Sequence, residues 1–130
     1  MLRYARSLST LTIYIFGLSS LFHGIRTLLH PSGVLIPLGL PATALPAINA
    51  TSLAAIAMGL YYTLAAYQRN KSFYALTVPM RLLTASVLWN QSRLGVKDRG
   101  WRTAALWEAG GALMTGLALV WEWGVRKGVW

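Results

Sequence analysis

The chain of 130 residues is 55% hydrophobic, carries twelve Lys and Arg against three acids (Asp98, Glu108, Glu122) for a net charge of +9, and has no cysteine. Its length suits one domain, and the missing cysteine excludes disulfides, thiolate catalysis and cysteine metal sites. The basic residues flank apolar stretches at the termini and in two connectors; that pattern suits lipid headgroups and excludes the continuous basic stripe that nucleic acid requires.

Between residues 27 and 68 there is not one charged side chain. A water-soluble domain could hardly hold such a stretch without exposing a large apolar patch. The chain is therefore expected to be an all-α integral membrane bundle of four transmembrane helices, each of about 20 residues. The first is predicted over residues 8–29, after Arg3 and Arg6. No small-residue cleavage site follows it closely, so it reads as a retained span and not as a removed signal peptide. The opening MLRYARSLST is basic, hydroxylated and acid-free, as a mitochondrial address would be. A Pro/Gly-rich connector follows over residues 31–46. It holds four of the five prolines (31, 37, 41 and 46), which predict a loop or a re-entrant excursion with Val34, Leu35, Ile36 and Leu38 at the interface.

The second span is predicted over 49–67, with Tyr61, Tyr62 and Tyr67 toward an aromatic belt. A short basic connector (68–71) leads to a third span over 72–91, interrupted by Pro79 and Arg81. A ten-residue charged loop (93–102) precedes the fourth span, 101–123, where Gly110, Gly111 and Gly116 read as helix contacts. The tryptophans are mostly belt anchors, with Trp89 and Trp107 deep enough to wall a pocket. With four spans both termini share a side, and the small excess of basic residues there favours the cytoplasm.

Arg81 and Glu108 carry the functional reading. A charge at mid-membrane costs at least about 2.5–3.5 kcal/mol on insertion scales, so it has a partner or a task. On the first helix Ser19, Ser20, His23, Arg26, Thr27 and His30 share a face at i, i+3, i+4, i+7 spacing, which should turn inward. With Glu108, and with Asn90 at the end of the third span, they predict polar groups converging beneath the proline-rich connector. Two uses stay open. One is a structural clasp that pairs Glu108 with Arg26 or Arg81. The other is a site in which Glu108 and His23 act as acid and base while Arg26, Arg81 and Asn90 hold a ligand. Two histidines seven apart with one deep acid supply no metal-ligand set, and no cofactor motif is present.

The segment GIRTLLHPSGVLIPLGLP (residues 24–41) has a Gly-x-Arg closing helix one, a proline soon after, and a Gly-Leu-Pro before helix two. In this it resembles a family of small four-helix membrane proteins of filamentous fungi and bacteria, distantly DoxX-like, to which no activity is assigned. Many members carry an Arg–Asp pair on helix two, absent from residues 51–60 here. The resemblance implies a fold and a membrane setting, not a reaction. In size and layout alone the chain is also similar to small fungal anthrone oxygenases.

The leading expectation is a multi-pass protein that binds a small hydrophobic molecule, as a tailoring enzyme in specialised-metabolite biosynthesis would. The alternative is a non-catalytic accessory or scaffold, marked by an exposed small-residue face of Ala105, Ala109, Ala112 and Gly116, with a second copy or another membrane protein as partner. The lipid bilayer is the common partner of both. Its expected location is the endoplasmic reticulum or another endomembrane, or a mitochondrial membrane if the opening segment is an address.

Overall fold

In a computed structural model of the chain, residues 7–94 and 97–128 are described, and among them all regular structure is helical. The order is α1 (Leu8–Leu29), α2 (Ser32–Leu38), a 3-10 turn (Ala42–Ala44), α3 (Leu45–Tyr67), α4 (Lys71–Leu94) and α5 (Asp98–Lys127). Three helical stretches, Leu8–Leu29, Ala42–Tyr67 and Arg99–Lys127, are long and apolar enough to cross a membrane. α4 is equally long but less apolar. Its surface still carries large apolar side chains: Leu83 is 59% exposed, beside Phe22 at 70%, Leu60 at 54% and Leu117 at 69% on α1, α3 and α5. Apolar side chains this abundant on every long helix want lipid against them. The basic opening of residues 1–6 and Trp130 lie outside the described residues.

The helix ends follow local chemistry. Ser7 caps α1 by accepting the Thr10 N–H, at 3.3 Å. The proline-rich connector is a correction to the expected loop, for it folds into the two-turn helix α2. Pro37 lies in its last turn, where it removes the one bond to the Gly33 carbonyl, and the helix ends at the next residue. Gly39, at φ 67°, then reverses the chain and donates to Ile36 O (3.1 Å), while Leu40 N donates to Leu35 O (2.9 Å). Pro46 falls in the first turn of α3, where its missing N–H had no helical acceptor, so α3 begins at Leu45, earlier than expected. Between α3 and α4 the chain turns in three residues. Arg69 takes φ 53°, and Asn70 Oδ1 accepts from Phe73 N at 3.0 Å to start α4. The charged loop is shorter than expected, because α4 runs on to Leu94 and α5 starts at Asp98; residues 95–96 of it lie outside the described residues.

Two helix pairs, α1 with α3 and α4 with α5, make most of the packing, and α1 against α5 joins them. α3 and α4 meet near their turn. There Tyr62 sets its ring edge-on to Phe73, 5.2 Å between centroids, and the Tyr74 hydroxyl lies 3.2 Å from Thr10 Oγ1 and 3.3 Å from the carbonyls of Ala65 and Ala66. Ile13, Phe16, Tyr62, Ala65, Ala66 and Tyr74 form the buried core at this end. At the other end α2 lies on the first turn of α5, where the Trp101 indole donates to Leu38 O at 3.3 Å.

Of the three glycines expected to be helix contacts on α5, Gly116 lies against Val78 of α4 at ordinary contact distance, and the closest backbone approaches between the long helices fall elsewhere. They are at Gly17 and Gly24 on α1 and Gly59 on α3. A Cβ at Gly59 would stand 2.6 Å from Leu21 N and 2.8 Å from Gly17 O, and one at Gly24 would stand 2.8 Å from Ser52 O. Those neighbours are backbone and cannot step aside, so α1 and α3 approach as closely as small-residue membrane contacts allow. Gly110, by contrast, has nothing within 4 Å of a Cβ. Gly59→Val should therefore lower stability by about 2 kcal/mol through overpacking, whereas Gly110→Ala should leave it unchanged or slightly raised. Unfolding titrations in mixed micelles would measure both.

Candidate functional site

Arg81 sits ten residues into α4 and Glu108 ten residues into α5, each about 15 Å from its helix start at 1.5 Å per residue. The two helices run antiparallel, so the residues meet near mid-height. Arg81 Nε donates to Glu108 Oε2 at 3.1 Å. The guanidinium is enclosed, with 3% of its side chain exposed against 21% for Glu108. Its Cζ lies 3.3 Å from the centroid of the Phe16 ring, a cation–π contact that brings α1 into the site. Phe16 in turn packs on Tyr62 (5.2 Å between centroids) and stacks near Trp107 (6.4 Å). Room for the guanidinium comes from Gly111, where any Cβ would overlap it. Gly111 is thus a glycine for the arginine's sake, not for a helix contact.

The predicted convergence is met only by this pair. His23, Arg26 and Asn90 are exposed, and none has a side-chain hydrogen bond or ion pair among the described residues. The stripe on α1 divides. Ser20 Oγ donates across to Ala55 O on α3 at 3.0 Å and Thr27 is buried, while His23, Arg26 and His30 face outward. The i, i+3, i+4 arc is wider than the contact α3 makes, so only part of it is covered. Of the two expected partners for Glu108, Arg81 is the one the fold supplies.

A second polar cluster went unread in the sequence. Glu122, near the end of α5, gathers the starts of α1 and α4. Its Oε1 accepts from Ser7 Oγ (2.7 Å) and Ser9 N (2.9 Å), and its Oε2 from Ser9 Oγ (2.9 Å) and Lys71 Nζ (2.6 Å). Lys71 Nζ also donates to Ser7 Oγ and Ser9 Oγ. Every polar group here is satisfied, which makes it a clasp. One signal could have found it. In an antiparallel pair, facing positions have nearly constant number sums, and the sums for 81 with 108 and 71 with 122 agree to within one helical turn of residues.

The arginine end is different. Among the described residues Arg81 Nη1 and Nη2 are buried with no hydrogen-bond partner, and the residue lines a cavity of about 170 Å³. The other walls are Thr12, Ile15 and Phe16 of α1 and Leu106, Trp107, Gly110, Gly111 and Met114 of α5. No residue of α2 contributes, so the cavity lies at mid-height and not beneath the proline-rich connector as expected. Ile15, Leu106, Trp107 and Met114 are each more than half exposed, so its mouth opens sideways between α1 and α5. A shallower groove of about 260 Å³ on α4 and α5 is walled by Trp89, Leu82, Ala85, Ser86, Ala105, Leu106 and Ala109. Ala105 and Ala112, half of the face expected to greet a scaffold partner, are 2% and 0% exposed.

Removing one member of the buried pair strands the other. Glu108→Gln alone should cost roughly 3 kcal/mol, and Arg81→Met with Glu108→Gln together distinctly less than the sum of the single changes; a double-mutant cycle by unfolding titration checks this. No family model, curated protein or solved structure matches this chain.

Proposed function

We propose that the protein is a four-span membrane protein that binds a small hydrophobic molecule in the Arg81 cavity, with α4 as the fourth span. One observation carries this reading: a buried guanidinium with two unpartnered nitrogens at the wall of a largely apolar cavity. An unsatisfied buried donor costs about 1–3 kcal/mol, more when charged, and an acceptor on a bound molecule would recover it. The cavity slightly exceeds the roughly 150 Å³ that accommodates benzene in an engineered protein core. A sideways mouth among exposed apolar side chains suits a molecule arriving from lipid.

Binding is better supported than turnover. Glu108 stands beside the arginine, but His23, its expected acid/base counterpart, is exposed on α1 with no side-chain partner among the described residues. A tailoring step would therefore use Glu108 and Arg81 without it. α4 suits a span because Arg81 is neutralised internally and Leu76, Met80, Leu83 and Val87 turn outward along its middle. The four-helix layout is also what the resemblance of residues 24–41 to DoxX-like proteins implies.

Two outcomes are expected. The native chain has no cysteine, so single cysteines placed at Arg69 or Gly128 should react with an impermeant thiol reagent from one side of a sealed vesicle, and those at Gly33 or Lys97 from the other. Labelling at Lys97 from the same side as at Arg69 would remove α4 as a span. Protein purified from its native host into lipid nanodiscs should carry a small organic molecule, detected by mass spectrometry. Gly110→Leu, which adds bulk at the cavity wall, should lack it; identical extracts from both proteins would overturn the binding reading.

A further inference from the structure

We infer that the Arg81 cavity selects an electrically neutral molecule about one ring in size that presents a carbonyl oxygen (a ketone, aldehyde or ester) to Nη1 and Nη2. This rests on the binding reading above and narrows it to a chemical class.

Three observations lead there. First, a guanidinium only donates, so the group it holds must be an acceptor. The other hydroxyl on the cavity wall adds no free donor: Thr12 Oγ1 donates to Ser9 O at 2.8 Å and accepts from Thr115 Oγ1 at 3.0 Å. Second, the positive charge is already balanced. Glu108 holds Nε at 3.1 Å, and Arg81 is the sole charged residue among those lining the cavity. A bound carboxylate or phosphate would place a second anion against one buried cation and leave net negative charge in an apolar surround, the situation that desolvation penalises most. A neutral carbonyl takes the free N–H groups without that surplus. Third, size and walls favour a ring. The volume is about 170 Å³, and Phe16 and Trp107 stand with their planes 22° apart.

The test uses the full chain in nanodiscs, with three probes of one ring size: acetophenone, ethylbenzene and benzoate. Binding is read by ligand-observed NMR, corrected with protein-free nanodiscs. Acetophenone should bind about tenfold tighter than either of the others, the factor expected for one hydrogen bond to a charged donor. Arg81→Met with Glu108→Gln, which removes both charges together, should abolish the margin over ethylbenzene. Gly110→Leu, which leaves the ion pair in place, should abolish binding of all three. If ethylbenzene matched acetophenone, or benzoate bound more tightly, the carbonyl class would be overturned while the binding reading stood. If wild type bound none of the three, both would fall.

Discussion

The burial of one guanidinium organises this molecule. Arg81 could not sit near the middle of α4, facing inward, without a carboxylate to balance it, a ring to cover it and a gap to hold it. Glu108, Phe16 and Gly111 supply those three, from α5, α1 and α5 respectively. Because the demands fall on different helices, meeting them brings α1, α4 and α5 to one point. A charge that looks like a defect in an apolar span thus acts as the place where the two helix pairs are held together.

The Glu122–Lys71 clasp works with it. One ion pair would leave α4 and α5 free to slide or rotate by a turn. Two pairs set ten residues apart along α4 and fourteen along α5 remove that freedom. They differ in completeness. At Glu122 every donor has an acceptor, including the backbone N–H of Ser9. At Arg81 two nitrogens are left over beside a cavity. Completeness marks a structural joint, and the remainder is where a ligand can contribute.

Much of the fold was legible from residue order. α1 spans the residues expected, because an uncharged run between Ser7 and Arg26 has little else to do. The turn after Tyr67 was placed by Gln68, Arg69 and Asn70. Less legible were the two places where proline misled. Pro46 falls in a first turn, where the ring removes no helical bond, and Pro37 in the last turn of a two-turn helix, where it removes one; a count of prolines does not distinguish these from the interior of a long helix. The close-contact glycines were misassigned for a similar reason. Gly110 and Gly59 look alike in a sequence, and only the path of the neighbouring helix makes one crowded and the other open.

For the site, residue order alone determined that Arg81 and Glu108 were anomalous and required partners, since three acids among so many apolar residues cannot be incidental. It also determined the membrane-like character of the long helices, which follows from composition and length. Tertiary structure decided the rest. It chose Arg81 over Arg26 as the partner, turned His23 and Asn90 outward, joined Glu122 to two serines and a lysine, and moved the cavity to mid-height. The physical reason is that a helical stripe limits which residues can face one way, whereas which part of that stripe is covered depends on the crossing of a neighbour many residues distant in the chain.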